Sequence, residues 1–255
     1  MKKLILCDLD GTLLRTDKTI SKASADALNR CKEKGILVGF STSRGRTTTE
    51  TYEEIIQPDI LICNGGATVF CKNECICMHT FTREQTQALL NATYRECGEE
   101  CEITLDTIDE LYWNRTYDKS TPYGKKSIYS DFKNFTQCAL KICVQTEDST
   151  KAKRIAQSVD DCDYLPFSDI PWYKFSSALA TKDNAIKTLC THLNIQPSEI
   201  VAFGDDYNDS GMLTLCGTGV AMGNAIAEVK AIADDVTLSN DDDGIAVWLK
   251  KNILS

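Results

Sequence analysis

LILCDLDGTLL, residues 4–14, sets four apolar residues directly against two aspartates. Leu4 to Cys7 read as a strand buried on both faces, because no polar residue interrupts them. Asp8 and Asp10 follow, with one leucine between them and Gly11 behind. A carboxylate taken out of water without a partner is costly, so two of them at the end of a buried strand point to a task. If the chain stays extended through residue 10, both side chains project to the same side.

Outward from this stretch, short apolar runs alternate with helix-like segments. SKASADALNRCKEKG predicts a helix, with Ser21 or Ser24 as its N-cap and Gly35 as its stop. ILVGFSTS reads as a strand, GRTTTETYEEIIQ as one helix before Pro58, and DILICNGG as a strand. This alternation of helices with near-continuous apolar strands predicts an α/β core with a doubly wound, parallel, Rossmann-like sheet. TVFCKNECICM predicts a hairpin turning at Lys72-Asn73-Glu74. The pattern then changes to helix–strand–strand, twice. TREQTQALLNATYRECGEE is a helix, CEITLDTIDELYWN two strands, QCALKICVQT a strand, STKAKRIAQSVD a helix, and DYLPFS and PWYKFSSAL two more strands. A polar stretch, RTYDKSTPYGKK, joins the halves. From Thr181 the first pattern resumes. The expected organisation is a discontinuous catalytic core, 1–81 and 179–255, carrying an inserted α+β cap (αββ-αββ) over 82–178.

Bulk properties narrow the function. The chain has 255 residues, 42% of them apolar and 25% charged, enough to bury a large core without staples. Net charge is −9 and no Lys/Arg-rich run is present, which argues against nucleic acid as a partner. MKKLILC has a basic start, but its apolar run is too short for a signal peptide and no stretch is long enough to span a membrane. A cytoplasmic protein with free thiols is therefore expected for the 13 cysteines. Cys75, Cys77 and His79 alternate as zinc ligands could, but no second ligand pair accompanies them, and the hairpin reading is preferred.

In an open α/β sheet, ligands bind beyond the carboxyl ends of the strands. There the sequence places Asp8 and Asp10, then Ser41, Thr42, Ser43 and Arg44, then Asn64 with two glycines, and finally Asp205, Asp206, Asn208 and Asp209. Asp205 is expected to join Asp8 and Asp10 from a neighbouring strand. Two carboxylates ~4 Å apart repel by ~4 kcal/mol at an effective dielectric near ~20. A cation relieves that repulsion, and a few oxygen ligands suit Mg²⁺, which also accepts substrate phosphate. Lys182 falls at a helix start, where a lysine is misplaced beside the positive dipole end unless it has a task.

DLDGTLL (8–14), STSR (41–44), NGGA (64–67), Lys182 in ATKDNAIKTL, GDDYNDSGML (204–213) and AMGNA (221–225) together resemble the haloacid dehalogenase-like phosphatases. The insertion point and the cap resemble their Cof-type, subfamily IIB members. The resemblance implies a Mg²⁺-dependent phosphatase acting on a small phosphorylated metabolite, a sugar phosphate, as a monomer or small homo-oligomer. It implies that Asp8 is the nucleophile, giving an aspartyl-phosphate. Asp10 would be the general acid for the leaving alcohol and then the base for water. Thr42 or Ser43 would bond the phosphoryl oxygens, with Arg44, Asn64, Gly65 and Asn208 also at the phosphate. Lys182 would hold Asp8 and the phosphoryl group. The implied metal set is Asp8, Asp10 through its main-chain carbonyl, Asp205 and Asp209. STSR stands where a glycine-containing TGR is more usual, which leaves the choice of hydroxyl open. A phosphomutase is a rival on the same chemistry. A non-catalytic ligand sensor is another, although it is expected to lack Asp8 or Asp10, and both are present. Nothing in the core set reads the leaving group, so the cap is expected to act as a lid that sets substrate choice. Its aromatic and basic residues are Tyr112, Trp113, Arg115, Tyr117, Trp172, Tyr173 and Lys174, most of them expected in the cap core or on its surface.

Overall fold

The computed structural model describes residues 2–116, 127–168 and 170–255; Tyr117 and most of the polar stretch after Arg115 lie outside the described residues. The elements run β1 (Leu4–Cys7), α1 (Lys22–Glu33), β2 (Leu37–Ser41), α2 (Glu50–Ile56), β3 (Ile60–Cys63), β4 (Thr68–Cys71) and β5 (Glu74–Met78). Next come α3 (Arg83–Cys97), β6 (Ile103–Asp106), β7 (Leu111–Trp113), β8 (Ser127–Tyr129), β9 (Lys141–Gln145), α4 (Ser149–Ala156), β10 (Cys162–Pro166) and β11 (Trp172–Ser177). The chain ends with α5 (Lys182–Leu193), β12 (Ile200–Gly204), α6 (Ser210–Leu215), β13 (Thr218–Ala221), α7 (Ala227–Ile232), β14 (Asp235–Val236) and α8 (Gly244–Asn252). Two compact units result. One joins Met1–Arg44, Thr49–Met78 and Thr181–Ser255; the other joins Gly45–Thr48 and His79–Ala180.

The first unit is built on an eight-stranded sheet in the order β14-β13-β12-β1-β2-β3-β4-β5. Strands β14 through β3 pair in parallel, and the β3-β4-β5 edge is antiparallel. β1 lies between β12 and β2, and each of its four residues is fully buried. That is why its apolar run has no alternation. Local chemistry fixes the helix ends. Ser21 caps α1 by accepting the Ser24 N–H at 3.0 Å, and Gly35 (φ 80°) follows the helix. The expected single helix over GRTTTETYEEIIQ is divided into a 3-10 turn at Arg46–Thr48 and α2. The three consecutive threonines there are poor helix formers, and the Thr49 hydroxyl bonds the Glu53 carboxylate at 2.5 Å. The β4–β5 hairpin turns at Lys72 (φ 49°) and Asn73 (φ 70°), the paired positive φ of a two-residue hairpin loop.

The second unit is a six-stranded sheet in the order β10-β11-β9-β6-β7-β8. Its core contains Phe81, Leu89, Leu90, Ile103, Leu105, Ile142, Val144 and Phe175, with Ala152 and Ile155 of α4. α3 starts on a capping box, in which the Thr82 hydroxyl accepts the Gln85 N–H while the Gln85 side chain accepts the Thr82 N–H. Two of the candidate specificity residues belong to this unit's own fabric. The Trp113 indole N–H donates to Glu102 at 2.8 Å, and Arg115 donates to the main-chain oxygens of Asn114 and Glu100. Lys174 is buried at 4% exposure and pairs with Cys143, in the same row as Thr104. Among the described residues, no helix is long and apolar enough to cross a membrane.

Candidate active site

Strand register brings the polar ends together. Cys7 pairs with Phe40 on one side and with Phe203 on the other. Asp8, Ser41-Thr42 and Gly204-Asp205 therefore leave three adjacent strands at one level. The turn Asn64–Gly66 adds a fourth edge, with φ of 52°, 70° and 109°. A Cβ at Gly66 would lie 2.2 Å from the Thr181 carbonyl oxygen, so only glycine lets this turn pack against the start of α5. Thr181 caps α5 through the Asn184 N–H, and Lys182 is its first helical residue.

Lys182 is 2% exposed, and its ammonium bridges two carboxylates. Nζ lies 2.7 Å from Asp8 Oδ1 and 2.6 Å from Asp209 Oδ1. Asp209 Oδ2 accepts the N–H groups of Asp205 and Asp206 at 2.9 and 3.1 Å, so both Asp209 oxygens are engaged. Carboxylate oxygens of Asp8, Asp205 and Asp209 lie within 4.8 Å of one another, the one such acidic group found among the described residues. The Thr12 hydroxyl donates to Asp205 Oδ1 at 2.6 Å, a reach across the fold. Gly11 (φ 76°) makes that approach possible, since a Cβ there would fall 2.2 Å from Asp205 Oδ2.

The carboxylate of Asp10 stands outside this group. Past Asp10 the chain turns back, the Leu13 N–H reaching the Asp8 carbonyl and the Leu14 N–H that of Leu9. Arg44 clamps Asp10 in a two-pronged pair, Nε to Oδ2 at 2.6 Å and Nη2 to Oδ1 at 2.8 Å. Lys18 adds a third bond at 2.8 Å, and the Arg44 guanidinium lies 5.3 Å from the Tyr52 ring centre. Arg44, expected at the phosphate, thus holds Asp10. Lys18 and Tyr52 carried no sequence signal, because a loop lysine and a helix tyrosine are ordinary.

The remaining candidates are laced together. Thr42 Oγ1 accepts the Arg44 N–H at 3.1 Å and keeps its own proton to donate. Gly65 N–H bonds the Thr42 carbonyl, and Asn64 N–H bonds that of Arg44. Ser43 Oγ accepts from the Asn208 side-chain amide at 2.7 Å, which draws that serine toward the Asn208 loop. Asn64 is buried, and its Oδ1 has no hydrogen-bond partner among the described residues.

Electrostatics separates the acids. Burial pushes Asp8 well above the usual carboxylate range, against the pull of Lys182. Burial, then the charge of Asp209, raises Asp205 to about 7. Burial alone would lower Lys182, but Asp209 and Asp8 outweigh it and hold the ammonium charged. Asp10 goes the other way: burial raises it, but Arg44 and Lys18 bring it down to about 2. Three acids gathered around one lysine leave an excess of negative charge, and their all-oxygen donor set fits a hard divalent cation.

The sequence pattern of haloacid dehalogenase-like hydrolases matches residues 5–249. The chain belongs to that family and is, with that, an enzyme. It is similar to the phosphatase YwpJ of Bacillus subtilis, at 26% identity over 97% of this chain and 99% of that protein. It is also similar to the 5-amino-6-(5-phospho-D-ribitylamino)uracil phosphatase YitU of the same organism, at 27% identity over 97% and 96% of the two chains. Among solved structures, a haloacid dehalogenase-like hydrolase from B. subtilis superposes with a TM-score of 0.85 at 25% identity, covering 98% and 100%. The subclass IIB sugar phosphatase BT4131 superposes with a TM-score of 0.86 at 22% identity, covering 98% of each chain. The fold is shared with that subclass IIB protein, as the insertion point and the cap implied.

Proposed function

We propose that this hydrolase is a Mg²⁺-dependent phosphatase that cleaves a small phosphorylated metabolite, a sugar phosphate, through an aspartyl-phosphate on Asp8. The observation that carries the reading is the Lys182 bridge. It fixes Asp8 Oδ1 and leaves Oδ2 to attack phosphorus. The name of YitU, a phosphatase of a phosphorylated ribityl compound, supports a polyol-like leaving group.

In the first step Asp8 Oδ2 bonds to phosphorus, the ester P–O bond breaks, and Asp10, protonated when the anionic phosphate binds beside it, gives that proton to the departing oxygen. In the second step water attacks phosphorus, Asp10 takes the water's proton, and Asp8 is released with phosphate. Arg44 and Lys18 favour the ionised Asp10 that this second step needs. Thr42, whose Oγ1 accepts the Arg44 N–H, would donate its hydroxyl to a phosphoryl oxygen. Asp8, Asp205 and the Asp10 carbonyl would hold the metal, while Asp209, already engaged by Lys182 and two N–H groups, positions that set. Mg²⁺ bound there supplies the positive charge that an anionic nucleophile needs to approach an anionic phosphate.

A panel of phosphorylated metabolites assayed for inorganic phosphate, with and without Mg²⁺, tests the reading. Release from sugar phosphates that stops on chelation and needs no bisphosphate primer is expected; phosphoryl transfer to a second hydroxyl would instead identify a mutase. Asp10→Asn separates the two steps. Aliphatic esters should lose ~10²–10⁴-fold in turnover. p-Nitrophenyl phosphate, whose leaving group needs no proton, should give a stoichiometric burst and then a slow steady state. A linear time course at the wild-type rate would remove Asp10 from the mechanism.

A further inference from the structure

AMGNA, residues 221–225, ends β13 and holds no acid of the group formed by Asp8, Asp205 and Asp209. The residues that follow β13 are nevertheless tied to two of the loops that build the site. The Ile226 N–H donates to the Asp205 carbonyl at 3.1 Å, beyond the adjacent strand β12. The Asn224 side chain reaches one strand farther. Its Nδ2 donates to the Gly11 carbonyl, in the turn after β1, at 2.8 Å.

Asn224 is itself aimed. The Gly223 N–H bonds the Leu238 carbonyl at 3.0 Å, which sets this loop against the segment before α8. There the Asn240 N–H donates to Asn224 Oδ1 at 3.0 Å, so the N–H₂ end of the Asn224 amide is the end left for Gly11. Asn240 Nδ2 donates in turn to the Leu14 carbonyl at 2.9 Å. Asp241 accepts the N–H and the hydroxyl of Thr16 at 2.9 and 2.7 Å. The turn after Asp8 is thus held along its main chain at Gly11, Leu14 and Thr16.

Of these anchors, the one at Gly11 bears on the acids. Gly11 (φ 76°) has no side chain to limit its rotation, so its conformation is set by what its peptide groups bond. The Asp10 carbonyl lies on one side of it. On the other lies Thr12, whose hydroxyl holds Asp205. Rotation at Gly11 would move the two relative to each other, and fixing its carbonyl keeps them in register.

We propose that Asn224 is a positioning residue for the divalent cation: through the Gly11 carbonyl it presets the Asp10 carbonyl oxygen against the Asp205 carboxylate. The proposal rests on the Mg²⁺ site described under the proposed function. Asn224 touches no acid of that site and acts on the cation only through the main chain of the turn. Hydrogen bonds that orient metal ligands from outside are typically worth about 10–100-fold in metal affinity.

Isothermal titration calorimetry with magnesium chloride tests it, on the full-length protein free of substrate. The salt is held at about 0.15 M, where distant charges are screened. Asn224→Ala should raise the Mg²⁺ dissociation constant about 10–100-fold. Its thermal midpoint should stay with the wild type, because Asn224 is exposed. Turnover of this variant should fall at limiting Mg²⁺ and return when Mg²⁺ is saturating, a rescue that a merely structural role would not give. Asp241→Ala is the comparison. It frees Thr16 in the same turn and leaves the Gly11 bond in place, so its Mg²⁺ affinity should stay close to that of the wild type. Unchanged affinity in Asn224→Ala, a midpoint well below the wild type, or an equal loss in Asp241→Ala would each overturn the proposal. A wild-type protein that takes up no Mg²⁺ would strike the metal site itself, a result seen before any substitution is made.

Discussion

Asp8→Asn is expected to reduce turnover to background while leaving the thermal unfolding midpoint at or above that of the wild type. Asparagine keeps the shape of the side chain and an oxygen for Lys182, but it is not an anion and forms no acyl phosphate. The loss should exceed the ~10²–10⁴-fold typical of removing a proton-transfer group, because the reaction loses its first bond-forming atom. Stability should move the other way. Asp8 is 7% exposed, and its burial disfavours the charged form strongly enough to outweigh Lys182. Replacing that anion by a neutral amide removes a desolvation cost, while Lys182 keeps Asp209. Phosphate release and differential scanning calorimetry on one preparation check both halves. An inactive variant that melts well below the wild type would mean that Asp8 holds the fold together. A variant with near-native turnover would end the covalent mechanism.

Burial disfavours a charge at Asp8, and this is why the site was legible where it was. A buried strand that ends in carboxylates breaks the rule its own apolar run obeys, so Asp8 and Asp10, with Asp205 expected to join them, stood out from the residues alone, while a metal role for Asp209 came only with the family resemblance. Lys182 stood out for the same reason, as a cation at the positive end of a helix. The partners of Asp10 did not. Lys18 comes from an irregular loop at φ 64° and Arg44 from the end of another strand, and no sequence period links either to residue 10. Nor did the partner of Thr12, whose hydroxyl finds Asp205 just beyond the neighbouring strand. Its direction is set by the Gly11 backbone, which the sequence does not specify beyond permitting it. The elements followed the same division. β1, β2, β3 and β12 are apolar runs that burial dictates. β8 was missed because Ser127–Tyr129 is short, borders a polar stretch, and has two exposed residues out of three. Pairing with β7 makes it a strand, and pairing is a tertiary fact.

Lys182→Met should unfold at a markedly lower temperature as well as lose activity. The methionine stem fills similar space, so the change isolates the charge. Two carboxylates, Asp8 and Asp209, then share the site with no cation within hydrogen-bond reach of the oxygens Lys182 now holds at 2.7 and 2.6 Å. Removing one partner of a buried ion pair costs ~3–5 kcal/mol, which for a chain of this size is a fall on the order of 10 °C. Asp209 adds to the penalty because its other oxygen orders the N–H groups of Asp205 and Asp206, so displacing it loosens the loop that carries Asp205. A second substitution, Asp209→Asn, separates the two contributions. Its amide oxygen can still accept those N–H groups, while its charge is gone. Lys182→Met with Asp209→Asn should therefore recover much of the lost stability and none of the activity, a non-additivity that marks direct coupling. If the single variant melts with the wild type, the carboxylates are discharged without the lysine, and Lys182 is there for the phosphoryl group alone.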